Sequence, residues 1–242
     1  MFNIFQKKTH NINDLIHEGF IDIHSHILPG IDDGVKNLNE SLELISLLNN
    51  AGFKKIIGTP HSYPGLYDNT NNTINNSFMA VKKKYKGPCD LAYASEYMLD
   101  FSLIDKAEKK TLLTLKDNII LVEMSYIDAP KNLYDIIFSL ITNGYTPLLA
   151  HPERYRFYFN DFNNYFKLKD VGCKFQLNLL STTGYYGSQV FKISNKLLEN
   201  NMIDFVGSDI HNKIHASQLS RKVRIKNIKK LEKSIEANNY FS

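Results

Sequence analysis

Phe20-Ile21-Asp22-Ile23-His24 is a short apolar run that leads directly into Ser25-His26. It reads as a buried strand that ends in two histidines. The pattern returns along the chain at Lys55–Thr59, Leu91–Glu96, Ile119–Glu123, Thr146–His151, Phe175–Leu179 and Asp204–Ser208. Between these runs lie stretches with helical spacing. Asn39–Asn50 carries Leu42, Ile45 and Leu48 on one face, and Leu133–Thr142 and Val190–Asn200 are similar. Gly52, Gly144 and Gly172 stand where helix C-caps are expected. Strand–helix alternation implies an α/β fold of parallel βαβ units. About seven such units fit one barrel better than an open sheet, and periodicity alone does not separate the two.

The chain has 242 residues, of which 43% are hydrophobic and 22% charged. That composition belongs to a globular protein and excludes wholesale disorder. A net charge of +4 is too weak a bias to imply nucleic acid without a localised patch. No apolar run approaches the ~18 residues of a membrane span. Residues 1–19 have no apolar signal core, so no membrane insertion and a cytoplasmic location are expected. Cys89 and Cys173 form no Cys-x-x-Cys pair and are expected as free buried thiols. The Asn-rich stretch 69–76 reads as a solvated loop or a helix entry. With no internal repeat or linker, residues 1–242 are expected to form a single domain. Residues 1–19 would be an N-terminal extension and 221–242 a C-terminal helix and tail. The basic stretch Arg221 to Lys233 reads as a solvated helix face, or else as a surface for an acidic partner or a membrane.

The ends of the runs carry the chemistry. They are His24-Ser25-His26, Thr59-Pro60-His61, Glu96, Glu123, His151-Pro152-Glu153-Arg154 and Asp209-Ile210-His211. In parallel barrels the C-terminal strand ends converge on one face, where active sites are built. Six of the seven runs therefore bring a histidine or carboxylate to one place. Imidazole nitrogens and carboxylate oxygens are the natural ligands of zinc, manganese and iron. His24 and His26 are two apart, as are Asp209 and His211, so in a regular strand each pair shares a face. A lone histidine is more often a hydrogen-bonded core residue, and His10, His17 and His215 are read that way. Two spaced pairs with two more histidines, all at strand ends, point to a metal centre.

At these residues the sequence resembles the PHP (polymerase and histidinol phosphatase) superfamily. More specific is the stretch Asp22-Ile23-His24-Ser25-His26-Ile27-Leu28-Pro29-Gly30-Ile31-Asp32-Asp33-Gly34. With Thr59-Pro60-His61 and Ala150-His151-Pro152-Glu153-Arg154, it resembles the CpsB/YwqE-type bacterial protein-tyrosine phosphatases of capsule and exopolysaccharide synthesis. The resemblance runs from about Ile21 to about His211. It implies a distorted (β/α)7 barrel with two to three divalent ions, usually manganese, with iron or zinc as alternatives. By that resemblance one ion would be held by His24, His26, Glu96 and Asp209. A second would share Glu96 and add Glu123 and His151. A third would take Asp33, His61 and His211. Arg154 would bind phosphate, which suits its planar fork of donors. Relatives often carry a second arginine soon after the Asp-x-His motif. Here Asn212-Lys213-Ile214-His215-Ala216 follows and Arg221 comes late, so Lys213 or His215 takes that place or the contact is lost.

The implied reaction is hydrolysis of phosphotyrosine by metal-activated water, on a substrate such as a membrane-bound tyrosine autokinase. A phenol leaving group, pKa ~10, has less need of a general acid than an alkoxide. Cysteine catalysis would require Cys-x5-Arg. Ser95 stands six residues after Cys89 and Leu179 six after Cys173, so neither qualifies. The aromatics Tyr63, Tyr67, Tyr155, Phe157, Tyr158, Phe159, Tyr185 and Tyr186 crowd the expected metal face, mostly as structural residues. Two other functions remain: a phosphoesterase for another ester such as histidinol phosphate, and a non-catalytic scaffold that binds phosphotyrosine.

Overall fold

The computed structural model describes residues 10–16 and 19–242. His17 and most of the expected N-terminal extension lie outside the described residues. In chain order the strands are β1 (Phe20–Ser25), β2 (Phe53–Gly58), β3 (His61–Ser62), β4 (Asp90–Tyr93), β5 (Glu96–Met98), β6 (Ile119–Glu123), β7 (Thr146–Ala150), β8 (Lys174–Asn178) and β9 (Phe205–Gly207). The helices are α1 (Ile12–Leu15), α2 (Leu38–Asn50), α3 (Asn71–Lys84), α4 (Ser102–Glu108), α5 (Leu133–Thr142), α6 (Asn163–Asp170), α7 (Ser188–Glu199), α8 (Lys213–Ser217) and α9 (Ile228–Ala237). All pairings between these strands are parallel. They form two sheets, ordered β1-β2-β4 and β3-β5-β6-β7-β8-β9.

Each of the seven expected runs contains a strand, but one is broken and another is followed at once by a further short strand. The chain leaves β2 at Thr59-Pro60 and resumes as β3, and the run 91–96 divides at Ala94-Ser95 into β4 and β5. Pro60 has no N–H to give to a ladder. The bonds across the break come from Ala94 N to Gly58 O (2.9 Å) and Glu96 N to Pro60 O (3.1 Å). The Ser95 hydroxyl also donates to Pro60 O (3.0 Å). His61 and Glu96, expected at the ends of strands, therefore open new ones and pair directly with each other. At the other seam Ser25 and Ile210 form a parallel bridge. There Asp209 N donates to His24 O (2.8 Å) and His26 N to Ile210 O (2.9 Å).

Strand periodicity sorts the core. Ile119 and Leu121 of β6 join Leu148 and Ala150 of β7 in one buried cluster. Ile120 and Val122 turn the other way, onto α4 and α5, where Leu103, Ile136, Ile137 and Leu140 cover them. A third cluster packs α2, through Leu44, Ile45 and Leu48, against Phe20, Phe53 and Ile56. The expected loop or helix entry at 69–76 is a helix entry: Thr70 caps α3, its hydroxyl accepting from Thr73 N.

The C-terminal segment is built into the fold, more than a solvated tail would be. Its helix starts only at Ile228, and Arg221 to Asn227 precede it without helix. Asn238 beyond it is buried and bridges β1 and β9. Its amide donates to Ile21 O and Val206 O, both at 2.8 Å, and its carbonyl accepts from Val206 N at 3.1 Å. Phe241 is fully buried against Ile21, Ile23 and Phe205. No helix among the described residues is long and apolar enough to cross a membrane.

Phe241→Ala is expected to lower stability by about 3–5 kcal/mol, the usual range for deleting a buried phenyl ring. Urea unfolding of the metal-free protein checks this, with exposed Phe101 as the control site; equal midpoints for Phe241→Ala and Phe101→Ala would show that the tail is dispensable.

Candidate metal centre

His24 and His26 meet at the C-terminal end of β1, their Nε2 atoms 3.3 Å apart. Each ring is held from behind. His24 Nδ1 donates to the side-chain carbonyl of Gln176 (2.8 Å), and His26 Nδ1 to the Asp32 carboxylate (2.8 Å). His211 Nδ1 likewise donates to Asp209 O (2.9 Å). A proton committed to Nδ1 leaves the lone pair of Nε2 free to face the centre. Asp32 also accepts from His61 N (3.1 Å) and Gly34 N (2.9 Å). Position 34 tolerates no side chain, because a Cβ there would lie 2.3 Å from His26 O.

Glu96 stands in the middle, fully buried. Its Oε2 lies 3.2 Å from His24 Nε2, 3.4 Å from His26 Nε2 and 3.1 Å from His61 Nδ1. Its Oε1 lies 3.2 Å from His151 Nε2. Asp209 Oδ1 is 3.3 Å from both His24 Nε2 and His26 Nε2. Glu123 reaches His61 Nδ1 at 2.8 Å, and Asp33 Oδ1 lies 3.4 Å from His61 Nε2 and from His211 Nε2. Two of these residues, His151 and Asp209, have left-handed backbones with φ of 35° and 52°. That conformation costs a non-glycine residue about 1–2 kcal/mol, and such strain gathers at functional sites.

The donor set fits divalent cations. Glu96 Oε2 is ringed by three imidazole nitrogens yet makes no aligned hydrogen bond, and neither does the buried His61 Nδ1, although carboxylate oxygens lie close to it. Ligand atoms about 2.1 Å from one shared ion lie roughly 3.0–3.4 Å from each other, which is the spacing seen here. Four groups of donors have their ligand atoms within 4.8 Å of one another: His26, Asp33, His61 and His211; His24, His151 and Asp209; His24, His26 and Glu96; His61, Glu96 and Glu123. All nine residues expected from the sequence thus come together. They overlap more than three separate sets would. His26 joins the Asp33 group, Glu123 falls with His61, and His151 with His24 and Asp209.

Without cations, protons supply the positive charge. Burial opposes a charged His61, but Glu96 and Glu123 hold its pKa up at about 11. Burial likewise opposes charging His24 and His26, and the carboxylates of Glu96, Asp209 and Asp32 nonetheless raise both. Burial works against an ionised Glu96 too, but the histidines around it hold its pKa well below the usual range.

Arg154 follows His151 in a 3-10 turn (Pro152–Arg154). Its Nη1 donates to Asp209 Oδ2 at 2.6 Å. Its guanidinium lies between two phenol rings, 4.9 Å from the centroid of Tyr126 and 4.3 Å from that of Tyr186. Asn178 holds the same Asp209 oxygen (3.0 Å). Of the two candidates for a second phosphate contact, His215 stands against His211, with ring centroids 5.5 Å apart. Lys213 is paired with Glu43 at the surface.

The family model for capsular polysaccharide synthesis, CpsB/CapC, matches residues 20–239. The chain belongs to the CpsB/CapC family. It is 32% identical over 196 residues to tyrosine-protein phosphatase YwqE of Bacillus subtilis, covering 79% of this chain and 77% of that protein. With tyrosine-protein phosphatase CpsB of Streptococcus pneumoniae it shares 31% identity over 202 residues, 79% of this chain and 83% of that protein. A solved structure from work on YwqE and CpsB, described as unique metal-dependent tyrosine phosphatases, superposes with a TM-score of 0.75 at 30% identity. The match covers 92% of this chain and 88% of that one.

Among aromatics expected near the centre, Tyr67 stacks on His61, with centroids 5.6 Å apart. Tyr155 is structural, its buried hydroxyl donating to Ala150 O and accepting from Met124 N. Several supporting residues of this CpsB/CapC chain escape a search of the run ends for histidines and acids. Gln176 and Asn178 are neutral amides on β8, the one run that ends in neither residue type. Asp32 stands beside Asp33 in the quoted motif, but its role behind His26 appears only in space. Tyr126 lies in a loop without any motif.

Metal uptake is expected to release protons, because His24, His26 and His61 must lose theirs to become ligands. Affinity for Mn2+ should therefore fall as pH falls through the range where these imidazoles charge. Calorimetry in two buffers of different ionisation enthalpy counts the protons, and no release at pH 6–7 would contradict the assignment. His24→Ala and Asp209→Ala should each lower the metal content of the purified protein.

Proposed function

We propose that this chain is a metal-dependent protein-tyrosine phosphatase. Its substrate would be phosphotyrosine on a membrane-bound tyrosine autokinase that controls capsular or exopolysaccharide synthesis. One observation carries this: nine metal-type donor residues, with Glu96 among them, come together, and an arginine is bonded to Asp209 at their edge. The names of the relatives agree with it. The donors suit two to three divalent ions, with manganese first and iron or zinc as alternatives. Bound there, such ions would neutralise phosphate charge and lower the pKa of bound water.

The protein's own groups do the rest. Arg154 has five N–H donors, and one is used by Asp209. The remainder of the fork can donate to phosphate oxygens at a fixed angle, since the rings of Tyr126 and Tyr186 hold its plane. Gln176 and Asp32 keep His24 and His26 in one tautomer and orientation. The thiols take no part: Cys89 and Cys173 are free and buried, and burial pushes each up to about 12, away from the reactive thiolate. That state suits the cytoplasm.

The fold is read as a single domain of distorted (β/α)7 barrel form. In its support, β2 with β3 and β4 with β5 act as two bent strands, and the Ser25–Ile210 bridge lies between first and last.

Phosphotyrosine peptides should be hydrolysed well ahead of phosphoserine peptides and histidinol phosphate, and chelation should abolish turnover. A preference for histidinol phosphate would move the chain to another phosphoesterase activity, and binding without turnover by metal-loaded protein would make it a scaffold. Arg154→Ala should lower kcat/KM by roughly 30- to 1000-fold, the worth of about 2–4 kcal/mol for a charge-assisted bond to phosphate. Asn178 still holds Asp209, so bound metal should be retained; kinetics within twofold of wild type would reduce Arg154 to a structural partner of Asp209. Cys89→Ser and Cys173→Ser should both stay active, and inactivity with metal and fold intact would contradict metal-based hydrolysis.

A further inference from the structure

On the outer side of Arg154 lies a cavity of about 280 Å3, lined by Tyr126, Arg154, Arg156, Tyr186 and Val190. It adjoins the metal centre, because Tyr126 stacks on His151 with ring centroids 5.7 Å apart. Its lining is of two kinds. The rings of Tyr126 and Tyr186, with Val190, offer apolar contact. The charged groups are both guanidiniums, and the lining holds no carboxylate. Arg154 is held in place by Asp209 and by its two rings, with its remaining donors assigned to phosphate. Arg156 is exposed, and among the described residues its side chain makes no ion pair and no hydrogen bond. The cavity is too small for a whole peptide, since sites for drug-sized ligands span roughly 300–1,000 Å3. It is the right size for one or two side chains.

We infer that this cavity is a subsite for the residues flanking the phosphotyrosine, and that Arg156 selects an anionic group among them. The inference rests on the phosphatase reading above. With phosphate held by Arg154 at the metal side, the peptide beside the phosphotyrosine passes the outer face of the Tyr126–Arg154–Tyr186 stack. A carboxylate there meets an unpaired guanidinium over a partly apolar floor, where a charge pair is less screened than in open water. The anionic group is the carboxylate of an acidic residue or the phosphoryl of a second phosphotyrosine. The guanidinium suits both.

The test uses full-length, metal-loaded protein and four peptides that share one central phosphotyrosine. Their flanking positions carry Glu, Gln, Lys or a non-hydrolysable phosphotyrosine mimic. Wild type is expected to favour the Glu peptide over the Gln peptide by about 3- to 10-fold in kcat/KM, mainly through KM, with the preference shrinking at high salt. A still higher value for the mimic would identify the phosphoryl group as the better ligand. Arg156→Gln should bring the Glu-to-Gln ratio close to one, and Arg156→Glu should invert the preference towards the Lys peptide, which a merely structural role would not do. The subsite is overturned if wild type treats the Glu and Gln peptides alike, or if Arg156→Gln keeps the wild-type ratio. Failure of the phosphatase reading looks different: wild type would then turn over none of the four, and the subsite would fall with it.

Discussion

The carboxylate of Glu96 is the point on which the rest depends. It is fully buried, and its two oxygens meet the nitrogens of His24, His26, His61 and His151. A lone carboxylate in that position would be expelled or protonated. It stays ionised because cationic charge surrounds it, as protons on the imidazoles or as bound cations. Its position follows from the break in the third run. By opening β5 beside His61 in β3, Glu96 stands where the two sheets meet. A continuous strand from Leu91 would have carried the ladder past this point without the turn at Ala94-Ser95.

Around this hub the fold spends rigidity on orientation. Gln176, Asp32 and the Asp209 carbonyl fix three imidazoles from behind, and left-handed backbones aim His151 and Asp209. The left-handed backbones and the crowding of buried charge both cost stability. The offset comes from packing elsewhere: the clusters on both faces of β6 and β7, and the C-terminal plug of Asn238 and Phe241 across β1 and β9. The same seam carries Asp22. Burial raises its pKa to about 6, and bonds from Ser208 work against that rise. Closing the seam and building the centre are therefore one task, because His24 and Asp209 sit on its two sides.

Arg154 links that centre to the outer surface. Its bond to Asp209 reaches inward, while the rings of Tyr126 and Tyr186 hold its plane and form the wall of the next cavity. In the proposed reading, chemistry and substrate choice would be set by nearby residues of two successive 3-10 turns. Arg154 faces the metal side and Arg156 the solvent side, with buried Tyr155 anchoring the turn between them through Ala150.

The sequence by itself determined the run positions, the parallel α/β class and eight of the nine candidate donor residues, while Asp33 came only through the family resemblance. Those properties are local: strand and helix periods, residue type at a strand end, and spacings of two residues are all written in consecutive positions. Ile119–Glu123 and Leu133–Thr142 were legible to the residue for that reason. Only the tertiary structure decided the breaks at Pro60 and Ala94-Ser95, the way the donors overlap in four groups, the roles of Gln176, Asp32 and Tyr126, and the burial of the C-terminus. Each depends on contacts between distant segments. His24 and Gln176 are 152 positions apart, and Asn238 and Ile21 are 217 apart. A neutral amide behind a histidine has no period and no charge to announce it, so its function exists only once the chain has folded.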